Sequence, residues 1–117
     1  MVLHIIGSLG VPPLQEFFVS DTSFASLALS PALLSTLDSL GYHDMTPVQA
    51  QSLPPMLVGR DVMAQAKTGS GKTAAFGLAL LSQLRVEAFS VQALVLCPTR
   101  ELADQVAAIP GSPATAR

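Results

Sequence analysis

The stretch AQAKTGSGKT, residues Ala64–Thr73, decides the fold. A glycine-rich loop holds phosphate when it follows a strand and opens a helix, in the pattern G-x-x-x-x-G-K-[ST]. Here Ala66 stands at the first glycine position, and Lys67, Thr68, Gly69, Ser70, Gly71, Lys72 and Thr73 complete the pattern. Glycines let the backbone curl until successive amides face phosphate oxygens. The following helix adds its own amides and dipole. In that chemistry Lys72 reaches the β- and γ-phosphates and the Thr73 hydroxyl ligates Mg²⁺, which makes both candidate catalytic residues. The alternative, a flexible surface turn, leaves a lysine and a threonine at the helix start unexplained.

The flanks supply the context. Asp61–Ala66 (DVMAQA) reads as a short strand, and Lys72–Leu84 as a helix apolar on nearly every side, hence buried. Val91–Cys97 (VQALVLC) reads as a second buried strand, ended by Pro98–Thr99, and Arg100–Ala108 starts another helix. Strand, loop, helix, strand, helix implies an α/β fold with a parallel sheet and crossover helices. Upstream, Ser30 and Pro31 suit the cap and first position of a helix over residues 31–40. Leu33, Leu34, Leu37 and Leu40 follow at helical spacing, and Gly41 suits its end. Thr46, Pro47 and Gln49 open a second helix with a capping box, which Pro54–Pro55 are expected to interrupt. Residues 1–20 show no clear period.

Composition closes off other classes. Of the 117 residues 50% are hydrophobic and 12% charged, with a net charge of −2. A disordered tail has the reverse balance, and a negative chain is not a highly basic nucleic-acid module. The single cysteine, Cys97, excludes a disulfide framework and a multi-cysteine zinc site. With no histidine placed to activate it, it reads as a small buried hydrophobe. Mean hydropathy is +0.50, yet no run approaches the ~20 apolar residues of a membrane span. The N-terminus lacks the positive region of a secretory signal, so a cytoplasmic protein is expected. After Thr73 the only acids are Glu87, Glu101 and Asp104, and the expected strand ends in Cys97 rather than Asp. The chain therefore offers a phosphate cradle without the metal carboxylate or water-activating acid that hydrolysis needs.

Three separated blocks together resemble the DEAD-box RNA helicases. Gly41–Gln49 (GYHDMTPVQ) is similar to the Q motif, with Phe24 as the isolated aromatic 17 positions before Gly41. Ala64–Thr73 resembles motif I, including its alanine, and Pro98–Leu102 (PTREL) resembles motif Ia. The resemblance covers residues 22–107. It implies an incomplete RecA-like P-loop NTPase domain cut after motif Ia. The parts are a leader at 1–21, a Q-motif region at 22–50, the N-terminal part of the ATP-binding domain at 51–108, and an irregular tail at 109–117.

The resemblance also implies ATP and Mg²⁺ as cofactors, with the phosphates on Ala66–Thr73. Gln49 is expected to read the adenine edge through one donor and one acceptor, with Phe24 and Tyr42 near the base. Pro98, Thr99, Arg100 and Glu101 are expected to contact RNA phosphates through helix amides and the Arg100 charge. From the residues alone, the favoured readings are a capping box for Gln49 and a helix cap at Thr99 beside a solvated Arg100, with ordinary packing the alternative for Phe24 and Tyr42; the resemblance reverses the first two. Expected partners are RNA, ribosomal in the full-length protein, with neither membrane nor DNA; a monomer is expected.

The family's later motifs are absent from these residues: the Asp-Glu-Ala-Asp and Ser-Ala-Thr stretches, and the second RecA-like domain. Together with the change of character at Ile109–Arg117 (IPGSPATAR), this reads as a truncated or frame-shifted piece of a helicase. Three readings follow: part of an ATP-dependent RNA helicase, a nucleotide-binding fragment without catalysis, or a non-functional product that exposes its core. A cooperative melt separates the last from the others.

Overall fold

The computed structural model describes residues 2–5 and 21–108. The chain divides into two compact units, Met1–Ser82 and Gln83–Arg117.

In the first unit, Ser30 caps helix α1 (Pro31–Ser39) by accepting from the Leu33 amide at 3.3 Å. Gly41 follows it with φ +78°, the left-handed conformation that ends a helix at least steric cost. Helix α2 (Pro47–Leu57) opens on the expected capping box at Thr46 and Gln49, but runs on through Pro54 and Pro55. The expected interruption does not occur. Each interior proline removes an amide and crowds the carbonyl one turn back, at about 3 kcal/mol. Against that, Leu53 and Met56 on the same helix are 0% and 1% exposed. Burying such side chains contributes roughly 1.5–3 kcal/mol each.

A short antiparallel sheet joins β1 (Val2–Ile5) to β2 (Val62–Gln65), in the register Val2↔Gln65 to Ile5↔Val62. The first residues thus contribute a strand where their sequence shows no period. Residues 6–20 and the tail at 109–117 lie outside the described residues. Along β2, Val62 and Ala64 are half-buried while Met63 and Gln65 are exposed. That alternation belongs to a sheet with one wet face; interior parallel strands are covered on both. Helix α2 packs against β2. Beyond the loop, α3 (Lys72–Gln83) buries Ala75, Phe76, Leu78 and Ala79, and is half-buried from Leu80 to Ser82. It is covered less completely than its apolar sequence predicts.

The second unit corrects another expectation. Val91–Cys97 forms no strand: Val91, Leu94 and Leu96 are 90%, 78% and 85% exposed, and Cys97 is half-buried rather than buried. An interior parallel strand needs backbone partners on both edges and cover on both faces. The described residues of this unit supply neither. The Gln92 side chain closes a loop instead. Its Oε1 accepts from the Arg85 amide at 2.8 Å, and its Nε2 donates to the carbonyls of Arg85 at 2.7 Å and Ala88 at 3.2 Å. Helix α4 (Arg100–Ala107) has Thr99 as its cap and buries no residue.

Candidate functional site

The chain leaves β2 at Gln65 and enters α3 at Lys72, so the loop between them is pinned at both ends. Gly69 and Gly71 take φ of +80° and +91°, values that cost an L side chain strain. They differ in their surroundings. A Cβ on Gly69 meets nothing within 4 Å, whereas one on Gly71 lies 2.5 Å from Gln49 Nε2 and 3.1 Å from Thr46 Oγ1.

That crowding reflects two bonds from the start of α2. The Thr46 hydroxyl donates to the Ser70 carbonyl at 2.7 Å, and Gln49 Nε2 donates to the Gly71 carbonyl at 3.1 Å. No peptide among the described residues is cis. In a planar trans peptide the N–H points opposite to the C=O. Holding these two carbonyls toward α2 therefore aims the amides of Gly71 and Lys72 the other way, at the helix N-terminus where an anion is favoured.

Lys72 supplies the charge. The residue is only 8% exposed, and its ammonium donates to the carbonyls of Ala66 and Lys67 (the latter at 2.9 Å) and to Ser70 Oγ at 3.4 Å. The loop wraps its own cation, and phosphate oxygens can take over the same three donors. Thr73, the second residue of α3, is half-buried. Mg²⁺ in nucleotide sites is held by one or two protein oxygens together with phosphates, a demand that Thr73 partly meets. Among the described residues no group of three or more His, Cys, Asp or Glu side chains converges as a metal cage. The donor set thus fits a nucleoside triphosphate with its magnesium.

Gln49 is 3% exposed. Its Oε1 accepts from the Thr46 amide at 2.9 Å while Nε2 serves Gly71, so the capping box and the loop contact coexist. Each end of the amide keeps one further hydrogen or lone pair. Phe24 is brought to this segment by backbone pairing. Its amide donates to the His43 carbonyl at 3.1 Å, and the Met45 amide donates to the Thr22 carbonyl at 2.7 Å. Phe24 is buried, whereas Tyr42 is 52% exposed. His43 Nδ1 meets Asp38 Oδ1 at 3.1 Å on the surface, an exposed pair of little energetic weight. Pro98, Thr99, Arg100 and Glu101 lie exposed at the start of α4, where Thr99 Oγ1 accepts from the Leu102 amide at 3.2 Å. The residue that sequence reading underrates is Thr46, which reads there as a helix cap alone. Its partner Ser70 is 24 positions away, beyond any local pattern.

Comparison with known proteins points to one family. The DEAD/DEAH box helicase model matches residues 46–109. The ATP-dependent RNA helicase DbpA of Escherichia coli is 66% identical over 87 residues, covering 74% of this chain and 19% of that protein. The DEAD-box ATP-dependent RNA helicase CshA of Bacillus cereus is 51% identical over 85 residues, covering 73% of this chain and 16% of its own length. A crystal structure of a DEAD box protein from the hyperthermophile Methanococcus jannaschii superimposes with a TM-score of 0.65 at 36% identity, over 73% of this chain and 23% of that one. The chain thus spans about a fifth of the length of the relatives it matches.

Proposed function

The chain belongs to the DEAD/DEAH box helicase family, and from that premise we propose that it supplies the nucleotide-binding part of an ATP-dependent RNA helicase. The observation that carries the proposal is the pair of bonds from Thr46 and Gln49 to the carbonyls of Ser70 and Gly71. They turn successive loop amides away from α2, an arrangement that supports the binding of phosphate oxygens by the loop. Bound ATP with Mg²⁺ supplies the phosphoanhydride whose cleavage drives RNA remodelling in the whole protein. Lys72 holds the β- and γ-phosphates, the backbone of Ala66–Gly71 surrounds them, and Thr73 holds the metal. Gln49 offers its remaining hydrogen and lone pair to the adenine edge, with Phe24 and Tyr42 beside the base. Pro98–Glu101 meet RNA phosphates through the α4 amides and Arg100. The RNA is ribosomal, and the whole protein works as a monomer in the cytoplasm.

A second reading, nucleotide binding without turnover by these residues alone, is favoured by the acid inventory after Thr73: Glu87, Glu101 and Asp104, none at a strand end. Equilibrium binding of a fluorescent ATP analogue, run beside RNA-stimulated turnover, tests both readings. The chain is expected to bind the analogue with Mg²⁺, with Lys72→Ala weakening it about 100-fold or more, and to show no RNA-stimulated turnover. Failure of the unsubstituted chain to bind sinks the proposal. Turnover that Lys72→Ala abolishes rejects the second reading.

A further inference from the structure

We propose that β1 is a strap on the base of the phosphate loop, and that its pairing with β2 tunes how tightly the loop holds a nucleotide. The tuning rests on the nucleotide reading above; the strapping does not. Strand β2 is four residues long, and among the described residues β1 is its only ladder partner. A two-stranded sheet is marginal on its own in water, so β2 depends on this ladder and on its packing against α2. The loop in turn depends on β2. Ala66 directly follows the last residue of the strand, and its carbonyl accepts from the Lys72 ammonium.

The register sets where opening begins. Val2 lies opposite Gln65 and Ile5 opposite Val62, so the end of β1 nearest the chain terminus lies beside the exit of β2. Chain termini fray first. Fraying of β1 from Val2 therefore unpairs Gln65 before Val62, and it frees the loop side of β2 while the far side stays paired. A parallel β1 would put the fraying end beside Val62, away from the loop. Once the base is free, the Ala66 carbonyl and the turn after it must be ordered when phosphate binds, an entropy cost that lowers affinity.

Substitutions in the full chain test the strap. Consecutive residues of an antiparallel pair alternate between positions that donate into the ladder and positions that do not. Of Leu3→Pro and His4→Pro, one therefore removes a ladder bond, and the other is tolerated on an edge strand. His4→Thr keeps the backbone amide and suits a strand. One proline variant is expected to speed hydrogen exchange at the Val62–Gln65 amides about fivefold and to weaken ADP binding about fivefold, the scale of one lost hydrogen bond. The other, and His4→Thr, are expected to stay within twofold on both readouts. Leu37→Ala, at a buried position of α1, is expected to lower the thermal midpoint and leave ADP affinity within twofold, which separates a strap from a general loss of stability.

Unchanged Val62–Gln65 exchange in both proline variants overturns the proposal, as do equal shifts in both. ADP affinity within twofold in the variant whose exchange rises overturns it too. If a proline variant does not fold, the parent decides: of the β2 amides that donate to β1, the one nearer the loop is expected to exchange faster after correction for intrinsic rates. The reverse order overturns the proposal. If the parent binds no ADP, the nucleotide reading falls while the exchange data still decide whether β1 straps β2.

Discussion

Residues 46–71 and residues 85–97 both contain a tight loop closed by a glutamine amide, and they use it differently. Gln49 spans 22 positions to reach Gly71, from a side chain that is 3% exposed. Gln92 reaches back only 7 positions to Arg85, on an exposed surface. The first amide joins elements that are far apart in the chain and holds the glycine-rich loop against the start of α2. The second closes a local turn and leaves Val86 and Phe89 at 91% and 102% exposure. A long-range polar bond survives when neighbouring burial has already brought the elements together, because closing a longer loop costs more entropy. A local bond needs no such support and shapes nothing beyond itself.

Core truncation gives the largest expected contrast between these regions. Leu53→Ala, at a fully buried position, is expected to cost about 2–5 kcal/mol in chemical denaturation. Leu94→Ala, at a position 78% exposed, is expected to stay within about 0.5 kcal/mol. Equal costs would break the comparison, because Leu94 would then have to be buried in solution.

The two loop glycines sharpen it next. Gly69→Ala meets open space and is expected to cost only its backbone strain, about 1–2 kcal/mol. Gly71→Ala adds a collision with a Gln49 side chain held at both ends, and is expected to cost at least about 1 kcal/mol more. A double-mutant cycle with Gln49→Ser is expected to recover roughly 1 kcal/mol of that excess. A purely additive cycle would remove Gln49 as the reason for a glycine at 71.

The smallest effect belongs to Gln92→Ala. It is expected to speed hydrogen exchange at the Arg85 amide, in keeping with the loss of about 0.5–1.5 kcal/mol of exposed hydrogen bonding. Exchange within residues 46–71 is expected to stay unchanged. A change spreading into that region would mean the two loops are coupled.

Particular residues show what sequence reading reaches. The caps at Ser30, Thr46 and Thr99 are legible because capping is a contact within three positions. The phosphate loop is legible because its backbone demands glycines and a lysine at fixed spacing. Helix α2 outruns its prolines because the burial of Leu53 and Met56 is a tertiary quantity. The pairing of β1 with β2 gives no sign, since the register between two segments so far apart in the chain is a tertiary quantity. Val91–Cys97 misleads in the opposite sense: its apolar run states a preference for a sheet interior, and preference alone makes no ladder.

By itself, the sequence of this protein determined the local grammar: where helices begin, which loop curls, and which lysine and threonine stand at its exit. The tertiary structure alone decided that the threonine before α2 grips a loop carbonyl 24 positions on, that Gly71 has no room for a methyl group, and that residues 91–97 form no strand. The division is physical. Caps and turns are set by contacts a few residues long, whereas hydrogen bonds and burial between distant segments exist only once the chain has brought them together.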